Sequence, residues 1–115
     1  MKFIEYPKCS TCKKAKKWLD NHKIDYIDID ITKETPTAIE LKRYLKISNL
    51  PIKRFFNTSG LVYRNLNLKN KLDEYDLDAK LNLLASNGKL IKRPLLVDDD
   101  FVLVGFNEKE WDKIL

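Results

Sequence analysis

The sequence predicts a single α/β domain with the element order β-α-β-α-α-β-β-α. Three observations lead to this prediction. Residues 2–31 contain an apolar strand, an amphipathic helix and a second strand, a pattern that favours parallel strands joined by a right-handed crossover. Residues 95–115 contain two apolar strands, a tight turn and a final helix. The length of 115 residues is typical of one domain with one hydrophobic core.

Along residues 2–31, the spacing of apolar residues changes from that of a strand to that of a helix, and then returns to that of a strand. Residues 2–6 form a short apolar strand, and residues 11–22 place Ala15, Trp18 and Leu19 on one helical face. Residues 24–31 then alternate isoleucine or tyrosine with aspartate, which predicts a second strand. We therefore expect a buried strand that leads into an amphipathic helix.

The middle of the chain predicts helices and turns without a strand. A helix begins near Pro36 and ends near residue 46. A short helical turn follows at 52–56, and turn-forming residues make a loop at 57–60. Residues 66–72 carry no clear pattern, whereas leucines at helical spacing predict a helix over 77–87.

The end of the chain predicts a hairpin and a capped helix. Residues 95–97 and 101–104 are apolar, and the three aspartates between them form a tight turn. Asn107 is a helix-capping residue type, and Glu110 at the third helical position completes a capping-box pattern. The last helix therefore begins directly after Asn107.

Composition and charge limit the cellular compartment and the classes of partner that the sequence predicts. The net charge of +5 permits anionic partners, but Lys42, Arg43 and Lys46 accompany no nucleic-acid-binding motif, and Tyr44 suits the helix core better than a stacking platform. No apolar run can span a bilayer, and no signal-peptide pattern is present. We expect a cytosolic protein without a membrane or nucleic-acid partner. Cytosolic thiols stay reduced, so close cysteines there are catalytic, redox-sensing or metal-binding more often than structural.

Cys9-Ser10-Thr11-Cys12 is the strongest chemical signal, and the chain has no other cysteine. Because the pair follows the first strand and opens the first helix, its context is that of a thioredoxin-like redox motif. We expect both sulfurs to meet the unpaired backbone N–H groups and positive dipole end of the helix, which favour a thiolate. Cys9, the more exposed member, is the predicted nucleophile, and Cys12 is the predicted resolving thiol.

Two other interpretations of the pair stay open: inert thiols, or ligands of a zinc ion. The chain has one histidine, His22, so zinc would need a carboxylate to complete a four-ligand site. We assign no metal site, and we interpret His22 as a helix-terminal residue that interacts with the dipole. The five lysines in residues 8–17 form either a solvated helix face or a field that lowers the pKa of Cys9 and attracts an anion.

Arg93-Pro94 precedes the third strand and is a second candidate site element. A proline before this strand faces the redox turn in the thioredoxin architecture, although Pro94 would also be tolerated merely as a strand start. Arg93 can hold an anion through two parallel hydrogen bonds. Alternatively, Lys89, Lys92 and Arg93 form only a basic surface patch.

Five segments together resemble the ArsC/Spx family, which contains glutaredoxin-coupled arsenate reductases and the regulators Spx and MgsR. They follow the family's order along the whole chain: YPKCSTCKKA (6–15), FNTSG (56–60), YRNL (63–66), IKRPL (91–95) and VGFNE (104–108). The resemblance implies a thioredoxin- or glutaredoxin-like core with a mixed sheet and an inserted helical subdomain. In the single domain 1–115, the core would occupy about 1–35 and 89–115 and the insertion about 36–88.

The resemblance also implies a catalytic cysteine at Cys9 and an oxyanion held by arginines at three positions. These positions are Asn57, Arg93 and Gly105 in this chain, so one arginine remains. We therefore expect a cytosolic thiol–disulfide oxidoreductase that uses Cys9 and Cys12 rather than an efficient arsenate reductase.

The predicted partners are a small anionic substrate and a thiol-reducing system. The predicted anion-binding residues are Lys8, Ser10, Thr11 and Arg93, with Pro94 as a structural neighbour. We expect a monomer without a cofactor of its own, reduced by thioredoxin, glutaredoxin or a low-molecular-weight thiol.

The cysteine pair also resembles that of Spx and MgsR, which implies an alternative function. Such a protein would be a redox-sensing transcriptional regulator that binds the C-terminal domain of the RNA polymerase α subunit. Two differences from Spx bear on this alternative: Ser59 stands where Spx has an arginine, and we expect the chain to lack the further segment that follows the last helix of Spx. The sequence leaves enzyme and regulator as competing hypotheses.

Overall fold

A computed structural model describes the whole chain, residues 1–115. One sheet contains the four strands β1 (Lys2–Glu5), β2 (Ile27–Asp30), β3 (Leu95–Val97) and β4 (Val102–Val104). The spatial order is β2-β1-β3-β4. β1 is parallel to β2 and antiparallel to β3, and β3 and β4 form the predicted antiparallel hairpin. The mixed sheet confirms the predicted α/β fold class.

Six helices accompany the sheet. They are α1 (Ser10–Asn21), α2 (Ala38–Ser48), α3 (Leu61–Asn65), α4 (Leu68–Lys71), α5 (Leu77–Ala85) and α6 (Glu108–Ile114). Single 3-10 turns occupy Ile52–Phe55, Leu72–Glu74 and Gly88–Leu90. Helices α2 to α5 lie between β2 and β3 in the chain, and this stretch contains no strand of the sheet, as the sequence predicts.

Two local predictions differ from the structure. β2 begins at Ile27 rather than at residue 24, because Lys23 adopts a left-handed backbone conformation with φ of 55° that ends the preceding turn. The unassigned residues 66–72 are largely helical and contain α4. Asn67, with φ of 53°, separates α3 from α4, so each helix is too short to show a helical period in the sequence.

Two hydrophobic clusters cover the two faces of the sheet. Ile4 and Leu95 face a cluster of 17 buried residues that includes the apolar sides of α2 and α5. Phe3 and Leu96 face a cluster of seven buried residues built with α1 and α6. Neighbouring residues on a strand thus serve opposite faces, as the pleat requires. The smaller cluster holds α1 against the sheet and thereby positions the cysteine turn.

Side-chain caps fix the starts of three helices, α2, α5 and α6. Thr37 accepts the Glu40 backbone N–H at 3.1 Å, and the Glu40 carboxylate accepts the Thr37 N–H at 3.0 Å. This complete capping box begins α2 and stabilises it by about 1 kcal/mol. Asn107 accepts the Glu110 N–H at 3.1 Å, which confirms the predicted cap of α6.

Candidate active site

Cys9 lies at the junction of β1 and α1, where the sequence predicts it. Its backbone N–H donates to the Tyr6 carbonyl at 2.9 Å and closes the turn that follows β1. Cys9 is the N-cap residue of α1, and its carbonyl accepts the Lys13 N–H at 3.1 Å. No side chain caps the first turn of this helix. The half-buried sulfur therefore sits beside N–H groups that have no partner within the helix.

The surroundings of Cys9 favour its thiolate. Burial by itself would raise the pKa of Cys9, but the backbone N–H and the thiol of Cys12, the charge of Arg93 and the Thr11 N–H together lower it below its ordinary value. The predicted activation of Cys9 by the helix start therefore has a structural basis. The cation with the largest effect is Arg93, rather than a lysine from residues 8–17.

Cys12 lies one turn further along α1 and is fully buried, with no exposed surface. Burial raises the pKa of Cys12 to about 12, the Tyr6 backbone N–H opposes this, and the negative charges of Cys9 and Glu5 add to it. The expectation that both sulfurs meet stabilising N–H groups at the helix start is wrong for Cys12, because its side chain points into the protein toward the end of β1. The pKa of Cys12 therefore lies above that of Cys9, and Cys9 ionises first as pH rises.

Arg93 lies beside the cysteine turn and is fixed by two contacts. Its Nη1 donates to the Lys89 carbonyl at 3.1 Å, and its guanidinium lies 5.2 Å from the centroid of the Tyr6 ring. Lys89 approaches the same ring, with Nζ at 5.5 Å. Arg93 Nε is buried without a hydrogen-bond partner. Pro94 is buried at the start of β3, and the Arg93–Pro94 peptide is cis.

The two other positions implied for anion binding bring no cation of their own. Asn57 Nδ2 donates at 3.4 Å to the Lys89 carbonyl that Arg93 also uses, which places the 57–60 loop next to Arg93. Gly105 has a positive φ of 76°, and a Cβ at this position would lie 3.4 Å from Cε of Lys92. The aliphatic end of Lys92 thus passes close to the backbone of Gly105.

A basic groove adjoins this loop. It has a volume of about 340 Å³ and is lined by Pro51, Lys53, Arg54, Phe56, Thr58 and Lys92. None of its three cations has a carboxylate partner, because the single ion pair of the protein joins Lys16 to Asp28. Thr58 and Lys92 are the chain neighbours of Asn57 and Arg93, so one end of the groove lies close to these two residues.

The other predicted anion-binding residues, Lys8, Ser10 and Thr11, lie just before or within the first turn of α1. Lys8, Ser10 and Thr11 are exposed, and the backbone N–H of Thr11 acts on the Cys9 sulfur. Lys8 forms no ion pair, whereas Lys16 of the same lysine-rich segment binds Asp28 at 2.7 Å. The structure therefore brings Cys9, Cys12, Thr11 and Arg93 together. Lys8 and Ser10 are exposed to solvent beside them.

Sequence reasoning missed Glu5, which is the one charged residue in the buried interior, with 3% of its surface exposed. A signal was available, because the two-residue period of a strand places Glu5 on the same face of β1 as the apolar Phe3. Burial and the neighbouring Asp28 carboxyl raise the pKa of Glu5 to about 7, although the charge of Lys16 opposes the rise. A carboxyl group with a pKa near neutrality therefore lies beneath α1.

The structure also bears on the other interpretations of the sequence. Three or more His, Cys, Asp or Glu side chains do not meet anywhere in a way that could hold a metal ion, so a zinc site at Cys9 and Cys12 lacks further ligands. His22 is the C-cap residue of α1 and stacks on Trp18 with the ring centroids 3.8 Å apart, which confirms its helix-terminal place. None of the helices has both the length and the apolar character needed to cross a membrane.

Comparison with known proteins identifies relatives of this chain. The model of the ArsC family matches residues 4–114. The uncharacterized protein YusI of Bacillus subtilis is 50% identical over 111 residues, which are 96% of this chain and 94% of that protein. The regulatory protein MgsR of the same organism is 36% identical over 112 residues, which are 97% of this chain and 87% of that protein.

A solved structure shares the same architecture. The crystal structure of an ArsC family related protein from Bacteroides fragilis superposes with a TM-score of 0.96 and 51% identity, covering 99% of this chain and 96% of that one. This agreement confirms the predicted ArsC-type, thioredoxin-like fold. Together with the match to the family model, it confirms the resemblance to the ArsC/Spx family.

Proposed function

The chain belongs to the ArsC family, and we propose that it is a thiol–disulfide oxidoreductase of this family that reduces small anionic disulfides. One observation carries the proposal: two cysteines three residues apart have opposite tendencies to ionise. The pKa of half-buried Cys9 is lowered, and that of buried Cys12 is raised. Such a pair suits one thiol for attack and the other for resolution.

In the first step, the Cys9 thiolate attacks one sulfur of the substrate disulfide RS–SR. A Cys9–S–S–R bond forms, the RS–SR bond breaks, and the leaving RS⁻ takes a proton from solvent. The first turn of α1 and Arg93 stabilise the attacking thiolate. Cys12 cannot compete in this step because its sulfur is buried and protonated.

In the second step, Cys12 loses its proton and attacks the Cys9 sulfur. A Cys9–Cys12 disulfide forms, and the second RS⁻ leaves with a proton. Two electrons have then passed from the protein to the substrate, which is released as two thiols. An external thiol of the cell reduces the pair again, and we propose that the reaction takes place in the cytosol, where such reductants are abundant.

The charge around the site favours a carboxylate-bearing substrate over arsenate. Arg93 remains near Cys9, but Asn57 and Gly105 offer no guanidinium to enclose a compact oxyanion. The unpaired cations Lys53, Arg54 and Lys92 instead spread along a groove. Cations that are spread along a groove can contact several parts of an extended anion, whereas they cannot all surround a small one.

A series of disulfides with different charges tests this proposal. The reduced protein is mixed with dithiodipropionate, hydroxyethyl disulfide or cystamine, which are anionic, neutral and cationic. We expect the anionic disulfide to react about tenfold faster than the cationic one at low ionic strength, and salt to reduce the difference. Mass spectrometry of the Cys12→Ser variant should show the substrate half attached to Cys9.

This experiment tests the redox chemistry and the preference for an anionic substrate separately. Failure of all three disulfides to oxidise the wild-type pair would overturn the oxidoreductase proposal. Equal rates for all charges would leave the redox chemistry intact but remove the anionic substrate. The exposed Glu74→Gln variant serves as a folding and charge control, since residue 74 lies in the helical segment between β2 and β3.

A second candidate function is a redox-controlled regulator, which is supported by the 36% identity with the regulatory protein MgsR over most of the chain. In this proposal, oxidation of Cys9 and Cys12 changes the affinity for the C-terminal domain of the RNA polymerase α subunit. Binding of the isolated domain to the reduced and the oxidised protein should then differ. Absence of binding in both states would exclude this regulator function.

A further inference from the structure

Lys89 is a cation beside the candidate active site that the reaction proposed above does not use. Its side chain is exposed and has no carboxylate partner, since the single ion pair of the protein joins Lys16 to Asp28. Its Nζ instead lies 5.5 Å from the centroid of the Tyr6 ring. An exposed lysine side chain is ordinarily mobile, so its place against an aromatic ring next to the cysteine turn calls for an explanation.

The backbone of Lys89 is held on both sides, which limits where its side chain can go. Its N–H donates to Asn87 Oδ1 at 2.9 Å. Its carbonyl accepts hydrogen bonds from Arg93 Nη1 at 3.1 Å and from Asn57 Nδ2 at 3.4 Å. The guanidinium of Arg93 is therefore tied directly to the residue that carries the second cation.

Tyr6 provides a fixed aromatic ring for both cations. Its carbonyl accepts the Cys9 N–H at 2.9 Å, so Tyr6 belongs to the turn that carries the predicted nucleophile. Its half-buried ring packs against the larger hydrophobic cluster. The Arg93 guanidinium lies 5.2 Å from the ring centroid, and both this distance and that of Lys89 are within the range in which an aromatic face attracts a cation. One ring thus holds two positive charges beside the cysteine turn.

Both cations keep hydrogen-bond donors that a ligand can use. Arg93 Nη1 donates to the Lys89 carbonyl, whereas Arg93 Nε is buried without a partner. The Lys89 ammonium forms no ion pair. A carboxylate has two oxygens and accepts several charge-assisted hydrogen bonds at once. Because the ring and the backbone contacts order both cations beforehand, binding of a carboxylate requires little further ordering of side chains.

We propose that Tyr6 holds Lys89 and Arg93 as a two-cation site for the carboxylate of the disulfide substrate. This inference rests on the oxidoreductase function proposed above and names the residues that select its substrate. Arg93 acts both on the Cys9 thiolate and on the substrate, whereas Lys89 acts on the substrate. Tyr6 is a positioning residue, because it acts through the two cations.

Rates of the first reaction step in a Lys89 variant test the proposal. In Lys89→Met, the rate constant for anionic dithiodipropionate should fall about three- to tenfold at low ionic strength, and that for neutral hydroxyethyl disulfide should change less than about twofold. The matched control Lys71→Met removes the same charge from an exposed position on α4 and should change both rate constants less than about twofold. A loss in Lys89→Met no larger than that in Lys71→Met would overturn the proposal.

Variants of Tyr6 separate positioning from charge alone. Tyr6→Phe keeps the aromatic ring and should keep the preference for the anionic disulfide, whereas Tyr6→Leu removes the ring and should reduce this preference. In the Tyr6→Leu background, Lys89→Met should then change the rate with dithiodipropionate less than about twofold. A full effect of Lys89→Met in that background, or loss of the preference in Tyr6→Phe, would overturn the positioning role of the ring.

A crystal structure provides a test that does not depend on rates or on the folding of Tyr6→Leu. Treatment of Cys12→Ser with dithiodipropionate leaves mercaptopropionate joined to Cys9 by a disulfide. Its carboxylate should contact both Lys89 Nζ and the Arg93 guanidinium. A carboxylate that does not contact Lys89 would overturn the two-cation site. Failure of every disulfide to oxidise the wild-type protein would instead contradict the proposed function itself.

Discussion

Cys9 and Cys12 differ more in their surroundings than their separation of one helical turn suggests. Cys9 is half-buried at the N-cap of α1, next to Arg93, and its pKa is lowered. Cys12 is fully buried on the inner side of the helix, next to Glu5, and its pKa is raised to about 12. The same residue type therefore favours the thiolate in one place and the protonated thiol in the other.

This difference shows how one helix start can impose an order on two thiols. The unpaired N–H groups serve the sulfur at the N-cap, whereas the third helical position directs its side chain toward the sheet. The Cys9 thiolate then adds to the pKa of Cys12, so ionisation of the first thiol suppresses ionisation of the second. In the reaction that we propose, resolution therefore becomes more favourable once Cys9 has reacted.

Removing each cysteine in turn should show the largest difference. In Cys12→Ser, the remaining Cys9 should react rapidly with iodoacetamide at pH 7. In Cys9→Ser, the remaining Cys12 should react at least about 10²-fold more slowly, because it is buried and its thiolate fraction is far below that of a free cysteine. Mass spectrometry of timed samples measures both rates.

Unfolding provides the control for this comparison. In urea sufficient to unfold both variants, the two rates should become equal, because only the folded structure distinguishes the thiols. Similar rates in the folded proteins would contradict the division of roles between Cys9 and Cys12.

The sequence allowed this part of the site to be predicted because its determinants are local. A period of two residues in β1, a helical period in α1 and the C-x-x-C spacing all lie within residues 2–22. The exposed position of Cys9 and the inner position of Cys12 follow from their places at the start of one helix. The ArsC-type fold was equally accessible because its motifs occur in order along the chain.

Other features depend on contacts between distant segments and could not be predicted in the same way. The lysines close to Cys9 in the sequence point outward, and Lys16 is engaged by Asp28, while Arg93 reaches the site from the far end of the chain. The contact of Asn57 with Lys89 joins residues 32 positions apart. Helices α3 and α4 were missed because elements of five and four residues carry too little periodicity.

A stability measurement should reveal the cost of the buried acid next to Cys12. The pKa of Glu5 is about 7 in the folded protein against an ordinary value of 4.5, so the folded state binds this proton more tightly. The contribution of Glu5 to stability is complete below about pH 4.5 and is lost as pH rises through 7. Relative to Glu5→Gln, the wild type should lose about 2 kcal/mol of unfolding free energy between pH 5 and 8.

Urea unfolding of both proteins at several pH values measures this difference. Comparison with the variant cancels the titration of all other groups that are common to both proteins. The exposed substitution Glu74→Gln should keep the pH dependence of the wild type. Parallel stability curves for wild type and Glu5→Gln would show that Glu5 is not protonated preferentially in the folded state.

The smallest effect should come from the cation beside Cys9. Arg93→Met removes the charge that lowers the pKa of Cys9 but leaves the helix start, so the pKa should rise and alkylation at pH 7 should slow only about two- to tenfold. Thiolate absorbance as a function of pH measures the change, and Lys71→Met on α4 controls for net charge. Because backbone N–H groups remain in place, a complete loss of reactivity would mean that Arg93, rather than the helix start, creates the difference between the two thiols.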